Sequence, residues 1–195
     1  ERPTRSLLRR ALVTIICLLL AYSPSAGFDL SDGLPYPHQE VVDTDAEGRL
    51  VLADAVSYSE RHLKPDCTIT IGTLGDLSDF APDLISVGFG NDRLRGKILR
   101  AESASTEKVL LLPSIDHLNE VDNEHLGDIS DLVNWPKAGY YHSSPFVFLY
   151  NFFVQEKPEW VFVDPGSLFE EDADNYGAGP GFGLKFMWYL VKQYA

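Results

Sequence analysis

Charged and small residues alternate over residues 43–49. Asp43, Asp45, Glu47 and Arg49 occupy every second position of this segment. If the segment is extended, the period of two places all four side chains on one side. Three carboxylates on one side repel, which raises their proton affinity unless a cation lies among them. Hard divalent cations take carboxylate oxygens as ligands, often as a pair in hydrolytic sites, and an adjacent Arg can hold an anionic transition state. The segment therefore suits a metal-dependent hydrolytic site.

The same side chains also suit a simple helix start. A helix that begins near Gly48 favours negative charge at its N-terminus, with Arg49 as a solvated ion-pair partner. Spacing alone leaves metal binding and capping both open. Two carboxylates cannot complete a two-metal site, so further ligands would have to come from elsewhere.

Strands and helices are predicted to alternate around this segment. Apolar or β-branched runs predict strands, and helical spacing, an N-cap before Pro145 or a stop before Pro65 predicts helices. The predicted strands cover residues 12–20, 67–74, 84–89 and 160–163, and the predicted helices cover residues 49–63, 92–105, 143–155 and 182–193. We expect helix 92–105 to be exposed because it is highly charged. Alternation of this kind indicates an α/β layered domain.

The apolar run over residues 11–22 allows two interpretations. Arg5, Arg9 and Arg10 precede it and small residues follow it, which is the pattern of a secretory signal. A buried strand of a parallel sheet also reads as a continuous apolar run, and about 12 residues is short of the roughly 20 that span a bilayer. We expect a buried strand and keep a signal or anchor as the alternative.

Composition limits the class of protein. A chain of 195 residues with 45% hydrophobic content can form one domain with a sizeable core. The formal charge of −13 argues against nucleic acid as the main partner, because polyphosphate binding needs clustered Lys and Arg. Cys17 and Cys67 both lie in apolar runs, so a disulfide scaffold or a cysteine metal site is not expected.

Several other residues suggest chemistry only weakly. Residues 177–183 superficially resemble a dinucleotide-binding loop but lack its glycine spacing and acidic partner. The histidines, including His38, His117, His125 and His142, show no metal-ligand spacing and suit surface or loop positions. Asp128 and Asp131 suit solvated or capping roles. Trp160 and Trp188 are expected in the core.

Residues 43–50 closely resemble the signature Asn-Thr-Asp-Ala-Glu-Gly-Arg-Leu of the leucyl aminopeptidase family, the hexameric two-metal cytosol aminopeptidases, with Asp43 in place of Asn. The similarity continues in order along the chain. Residues 64–66 and 73–75 resemble the family's Lys-Pro-Asp strand and its Thr-Leu-Thr-Gly loop. Residues 109–113, 158–164 and 177–183 resemble its later segments, and residues 12–24 resemble an upstream strand, which favours the strand interpretation of the apolar run.

This resemblance implies an α/β fold with a central mixed, largely parallel sheet flanked by helices, like the C-terminal part of that family's catalytic domain. It implies that Asp45 and Glu47 are ligands of a divalent metal, zinc or manganese. Arg49 would be the catalytic residue that binds bicarbonate or the gem-diolate. The backbone of Thr73, Leu74 and Gly75 would line the cleft for a peptide substrate.

The chain also departs from the family pattern. The other family ligands, a Lys and two Asp, and a second catalytic Lys belong to segments that precede the apolar strand. The family loop Thr-Leu-Thr-Gly has become Thr73-Leu74-Gly75-Asp76, a family His is replaced by Phe162, and the helix over 143–155 is bulkier than the family's Ala-rich one. Several substrate-side positions have therefore changed together.

We therefore expect residues 1–195 to form a single incomplete aminopeptidase-like catalytic domain, with residues 1–10 as an N-terminal extension or helix end. Such a chain would be catalytically impaired alone and would serve as a structural or assembly subunit. An exposed sheet edge and partial core favour a homo-oligomer or a larger assembly. The alternatives are an active aminopeptidase completed by a separate N-terminal chain, and a secreted or membrane-anchored acidic binding protein. The expected compartment is the cytoplasm or mitochondrial matrix, or the outside of the cell under the last alternative.

Overall fold

Four strands form the central sheet of the computed structural model, which describes residues 37–75, 81, 83–121, 131–136, 142–166 and 181–194. The strand order is β2, β6, β3, β4, with bounds Thr68–Ile71, Trp160–Asp164, Ile85–Phe89 and Val109–Leu111. β2 runs parallel to β6 and β3 runs parallel to β4, but β3 and β6 are antiparallel. β1 (Gln39–Glu40) and β5 (Leu132–Val133) form a separate parallel pair. The mixed, largely parallel sheet confirms the predicted fold class.

Five α-helices lie within the described residues. Their bounds are Glu47–Tyr58 for α1, Arg95–Ser105 for α2, Ile115–Val121 for α3, Ser144–Tyr150 for α4 and Leu184–Val191 for α5. Three 3-10 turns adjoin them, at Thr44–Ala46, Asp92–Leu94 and Lys192–Tyr194, and α1 continues into a π-helical turn at Ser59–Leu63. That turn ends in left-handed Lys64, which agrees with the predicted stop before Pro65.

The core lies on both faces of the sheet because the side chains of each strand alternate between the faces. In β6, Trp160 and Phe162 join the cluster under α1 and α4, whereas Val161 and Val163 join the cluster under α2 and α5. Trp160 is fully buried and its indole N–H donates to Thr70 Oγ1 at 2.9 Å. Its predicted core position is confirmed.

The predicted elements differ from the structure in extent more than in type. Predicted strands 67–74, 84–89 and 160–163 correspond to β2, β3 and β6, and the predicted helices correspond to α1, α2, α4 and α5. Helix 143–155 is shorter than predicted, since α4 ends at Tyr150. Short β1, β4 and β5, together with α3, had no predicted counterpart. Predicted strand 12–20 lies outside the described residues.

Two burial predictions were wrong. The predicted exposed helix over 92–105 buries Leu94, Ile98 and Ala101 on one face, against α5. Trp188 is 67% exposed because α5 presents Phe186 and Leu190, one turn apart, to the sheet instead. Over the described residues, no helix is long and apolar enough to span a membrane.

Candidate metal and substrate site

The acidic segment is a capped helix start and not an extended strand. Asp43 is extended and its carboxylate accepts the backbone N–H of Asp45 at 2.9 Å, which opens the 3-10 turn that leads into α1. Glu47 then lies in the first turn of α1, where the helix dipole favours its charge. The period-two geometry predicted for Asp43, Asp45, Glu47 and Arg49 is therefore wrong, and the capping interpretation describes the backbone.

Asn134 fixes this helix start from a distant part of the chain. Its fully buried side chain accepts the N–H groups of Val42 and Asp43 at 2.9 and 3.2 Å. Its amide nitrogen donates to the carbonyl oxygens of Asp43 and Ala46 at 2.5 and 3.4 Å. One amide thus satisfies both the donors and the acceptors of the segment that carries the acidic side chains. Nothing in the local sequence around Asn134 predicted this role.

Asp45 and Glu47 are exposed to solvent, on the turn that faces the 73–75 loop. The contact between the two segments is close, since a Cβ on Gly48 would lie 2.9 Å from Cδ2 of Leu74. Glycine at position 48 therefore allows the loop to approach the first turn of α1. The structure brings the predicted metal ligands and the predicted substrate loop into one neighbourhood.

Arg49 points inward from the same turn and is 1% exposed. One guanidinium nitrogen donates to Ser144 Oγ at 2.9 Å, at the start of α4. The guanidinium carbon lies 5.2 Å from the ring centroid of Trp135 and 6.0 Å from that of Phe148. These contacts hold the positive charge beneath the surface, so Arg49 is not the solvated ion-pair partner of the capping interpretation.

The 73–75 loop is held by Asp164, the last residue of β6. The buried carboxylate of Asp164 accepts the N–H of Gly75 at 2.6 Å and the N–H of Leu74 at 3.2 Å. It also accepts the N–H of Gly166 at 2.9 Å. Burial raises the pKa of Asp164 to about 7, while these N–H groups and the Arg49 charge act to lower it. Thr73 remains exposed.

Asp164 was not predicted as a site residue, although a carboxylate that directly ends a buried apolar strand is a detectable signal. Ser144 and Asn134 gave no such signal. The histidines His38, His117 and His142 are exposed, as expected, whereas His125 lies outside the described residues. Asp131 is a solvated residue that pairs with His38 at 3.4 Å.

The donor chemistry of Asp45 and Glu47 fits a hard divalent cation, because both offer exposed carboxylate oxygens. Across the part of the chain that the structure describes, no three His, Cys, Asp or Glu side chains are grouped so that they could hold a metal ion. The two carboxylates could therefore supply only part of a ligand set.

The model of the cytosol aminopeptidase family catalytic domain matches residues 37–188. This chain belongs to the cytosol aminopeptidase family. All the predicted site residues of this family member, and Asn134, Ser144 and Asp164 as well, lie within the matched region. The recognition of a leucyl aminopeptidase-like chain from residues 43–50 is thus confirmed, and the family is metal-dependent.

Curated relatives and solved structures agree with this assignment. A probable cytosol aminopeptidase of Rickettsia bellii (strain OSU 85-389) is 31% identical over 160 residues, which are 79% of this chain and 31% of that protein. The corresponding protein of Rickettsia peacockii (strain Rustic) is 30% identical over 162 residues, 80% of this chain and 32% of that protein. The chain spans about a third of the length of these relatives.

The fold of this family member is similar to that of the bottromycin maturation enzyme BotP. The TM-score is 0.69 at 23% sequence identity, over 80% of this chain and 35% of that one. A structure of BotP in complex with Mn gives a TM-score of 0.68 over the same shares of both chains. At this identity the likeness shows the fold.

Proposed function

We propose that Asp45 and Glu47 are two ligands of a divalent-metal aminopeptidase site, zinc or manganese, and that the chain is catalytically impaired alone. The observation that carries this proposal is the close packing of the first turn of α1 against the 73–75 loop, since that turn bears exposed Glu47 and follows the 3-10 turn that bears exposed Asp45. Metal ligands and a substrate-binding loop must lie side by side for a bound peptide to reach the metal.

The chain's own residues would bind and orient the peptide and would supply a positive charge near it. A divalent cation, when bound, supplies a Lewis acid for peptide hydrolysis. Thr73 offers exposed polar groups in the 73–75 loop, and a peptide would lie along it. Arg49 contributes a positive field from below, through a guanidinium already bonded to Ser144.

Three features support impairment. The N–H groups of Leu74 and Gly75 donate to Asp164, so they are turned away from a peptide. The guanidinium of Arg49 is buried, so it reaches an anion in the cleft only if it leaves Ser144 and the aromatic rings around it. Position 76 adds a carboxylate, Asp76, where the related loop has Gly. Each feature weakens an interaction that a substrate or its anionic intermediate would need.

Calorimetric titration of the purified chain with Mn²⁺ or Zn²⁺ tests the ligand assignment. We expect the double variant Asp45→Asn/Glu47→Gln to bind either metal at least about tenfold more weakly, because two hard oxygen ligands lose their charge. Asp54→Asn is the matched control, since it removes one carboxylate from the same helix. Equal metal affinity in the wild type and the double variant would refute the assignment.

Hydrolysis of a chromogenic leucyl amide tests the impairment. The chain alone, saturated with Mn²⁺ or Zn²⁺, should release leucine no faster than a metal-only blank. Metal-dependent release that Glu47→Gln abolishes would show an active enzyme and reject the impairment.

The second candidate function is an active aminopeptidase completed by another polypeptide. The exposure of Asp45 and Glu47 favours it, because exposed carboxylates can share a metal ion with ligand residues of a partner. Mixing the chain with a polypeptide that carries the family's Lys and Asp ligands should then produce leucyl amide hydrolysis that neither component shows alone. Continued inactivity of a verified complex would exclude this candidate.

A structural role in a homo-oligomer or larger assembly is the remaining part of the proposal. The large apolar side chains that are exposed among the described residues include Val41 and Val42 beside the acidic segment and Leu184 and Trp188 on α5. Exposed apolar groups of this kind favour association. The native mass of the chain, measured by sedimentation at several concentrations, should exceed 21.8 kDa. A monomer at every concentration would contradict self-assembly.

A further inference from the structure

We propose that Asp164 is a positioning residue that fixes the 73–75 loop beside the acidic turn by holding its backbone N–H groups. This inference deepens the proposed function, since it assigns the residue on which the shape of the proposed substrate cleft depends.

The carboxylate of Asp164 joins two segments that are far apart in the sequence. It receives the N–H groups of Leu74 and Gly75 from the end of β2 and the N–H of Gly166 from its own side. The shortest of these, 2.6 Å to Gly75, has the length of a strong charge-assisted bond. Three donors from two loops converge on one side chain, so its removal would free both loops together.

The surrounding backbone leaves the loop little room to take another position. A Cβ on Gly75 would lie 3.1 Å from the carbonyl oxygen of His142 and 3.3 Å from Oδ2 of Asp164. A Cβ on Gly166 would lie 2.4 Å from the carbonyl oxygen of Gly75. Gly75 is therefore enclosed on three sides, by Asp164, Gly166 and the segment before α4.

The direction of these bonds also determines what the loop can offer to a ligand. The N–H groups of Leu74 and Gly75 donate to Asp164, and the Gly75 carbonyl oxygen lies beside Gly166. Thr73, the residue before them, is exposed. Asp164 thus leaves Thr73 accessible to a ligand while it occupies the two donors that follow.

Charged groups near Asp164 come from more than one element. The guanidinium of Arg49 acts on it from α1 and favours the ionised form. His142 precedes α4, and its backbone carbonyl lies beside Gly75. His142→Gln is therefore the control that removes this neighbouring imidazole.

Amide hydrogen exchange on the full chain, at about pH 8 where the carboxylate is ionised, tests the positioning. In Asp164→Asn the amides of Leu74, Gly75 and Gly166 should exchange at least about tenfold faster, the loss expected when bonds to a charged acceptor are removed. Asp131→Asn is the matched control, because Asp131 also accepts one backbone N–H, that of His38, but at an exposed position. Unchanged exchange at Leu74 and Gly75 in a folded Asp164→Asn protein would overturn the proposal.

A second measurement does not depend on the stability of the variant. In the wild-type chain, the amide proton shifts of Leu74, Gly75 and Gly166 should titrate with one shared midpoint, and they should still do so in His142→Gln. Separate midpoints, or loss of the titration in His142→Gln, would overturn the proposal.

A kinetic readout separates positioning from general stability. The assay uses the metal-loaded protein that hydrolyses the leucyl amide, either the chain alone or its complex with the complementing polypeptide. There, Asp164→Asn should raise KM by a larger factor than it lowers kcat, since the loop would contact the bound peptide. A fall in kcat alone would contradict a positioning role. If no form hydrolyses the amide, as the impairment predicts, the exchange and titration measurements alone decide whether Asp164 holds the loop. The metal titration of Asp45→Asn/Glu47→Gln decides the proposed function separately.

Discussion

Asp164→Asn should change how the stability of the protein depends on pH. The carboxyl of Asp164 has a pKa of about 7 in the folded protein, against 3.8 for the ordinary side chain, and desolvation is the main cause. The folded protein therefore holds a proton that the unfolded chain releases over this pH range. The stability from neutral Asp164 is fully present below the unfolded pKa and is lost as pH rises through the folded pKa.

The size of this effect follows from the two pKa values. A difference of about three pKa units corresponds to about 4 kcal/mol, at about 1.4 kcal/mol per unit. Asn has the same shape as Asp but no titrating proton, so the variant lacks this contribution. The free energy of unfolding of the wild type minus that of Asp164→Asn should fall by about 4 kcal/mol between about pH 4 and pH 8.

Urea unfolding of both proteins at intervals across this range gives the comparison. Subtraction removes the contribution of other shifted groups, such as the Glu60 carboxyl, whose pKa burial also raises. A difference that stays constant within about 1 kcal/mol from pH 4 to pH 8 would refute the placement of Asp164 in a desolvated site. A difference that rises with pH would show that the N–H donors and Arg49 outweigh desolvation.

Further predictions concern the scaffold, each checked by urea unfolding. Trp160→Ala should lower the free energy of unfolding by about 3 to 5 kcal/mol because the ring is fully buried, whereas Trp188→Ala should lower it by less than about 0.5 kcal/mol. Equal losses in the two variants would contradict the exposure of Trp188 on α5. Glu107→Gln should cost about 1 kcal/mol, since its carboxylate accepts N–H groups at the start of α5, and no loss would show that this cap is dispensable. Gly88→Ala should lower the free energy of unfolding by more than about 1 kcal/mol, because its Cβ would lie 2.7 Å from an aromatic ring. Gly96→Ala meets only a flexible arginine side chain, so it should be neutral or stabilising by up to about 1 kcal/mol. If Gly96→Ala proved the more destabilising of the two, the sheet packing would be contradicted.

The sequence predicted the elements that have a clear periodic signal. Apolar runs located β2, β3 and β6, and the spacing of Leu52 and Val56 located α1. β1 and β5 contain two residues each, too few to generate a pattern. On α5 every residue except Lys185 is apolar, so residue type alone assigned Trp188 to the core, whereas the buried face is formed by Phe186, Met187 and Leu190.

The motif over residues 43–50 predicted the family but not the geometry of the candidate site. Its resemblance to the family signature singled out Asp45, Glu47 and Arg49, whereas their spacing alone left metal binding and capping open. Their conformation depends on a cap made by Asp43, and alternating charges satisfy an extended strand and a helix start equally well. The burial of Arg49 depends on Ser144, which lies 95 residues later in the chain and cannot be paired with it from sequence alone.

Side chains from the second half of the chain hold the site in the first half. The bond from Asp43 to Asn134 spans 91 residues, the one from Leu74 to Asp164 spans 90, and the one from Arg49 to Ser144 spans 95. Contacts of such long range form late in folding, because a long loop must close before they can stabilise anything. During synthesis the acidic turn therefore leaves the ribosome well before the three side chains that support it, so the site takes its final shape only after most of the chain has been made.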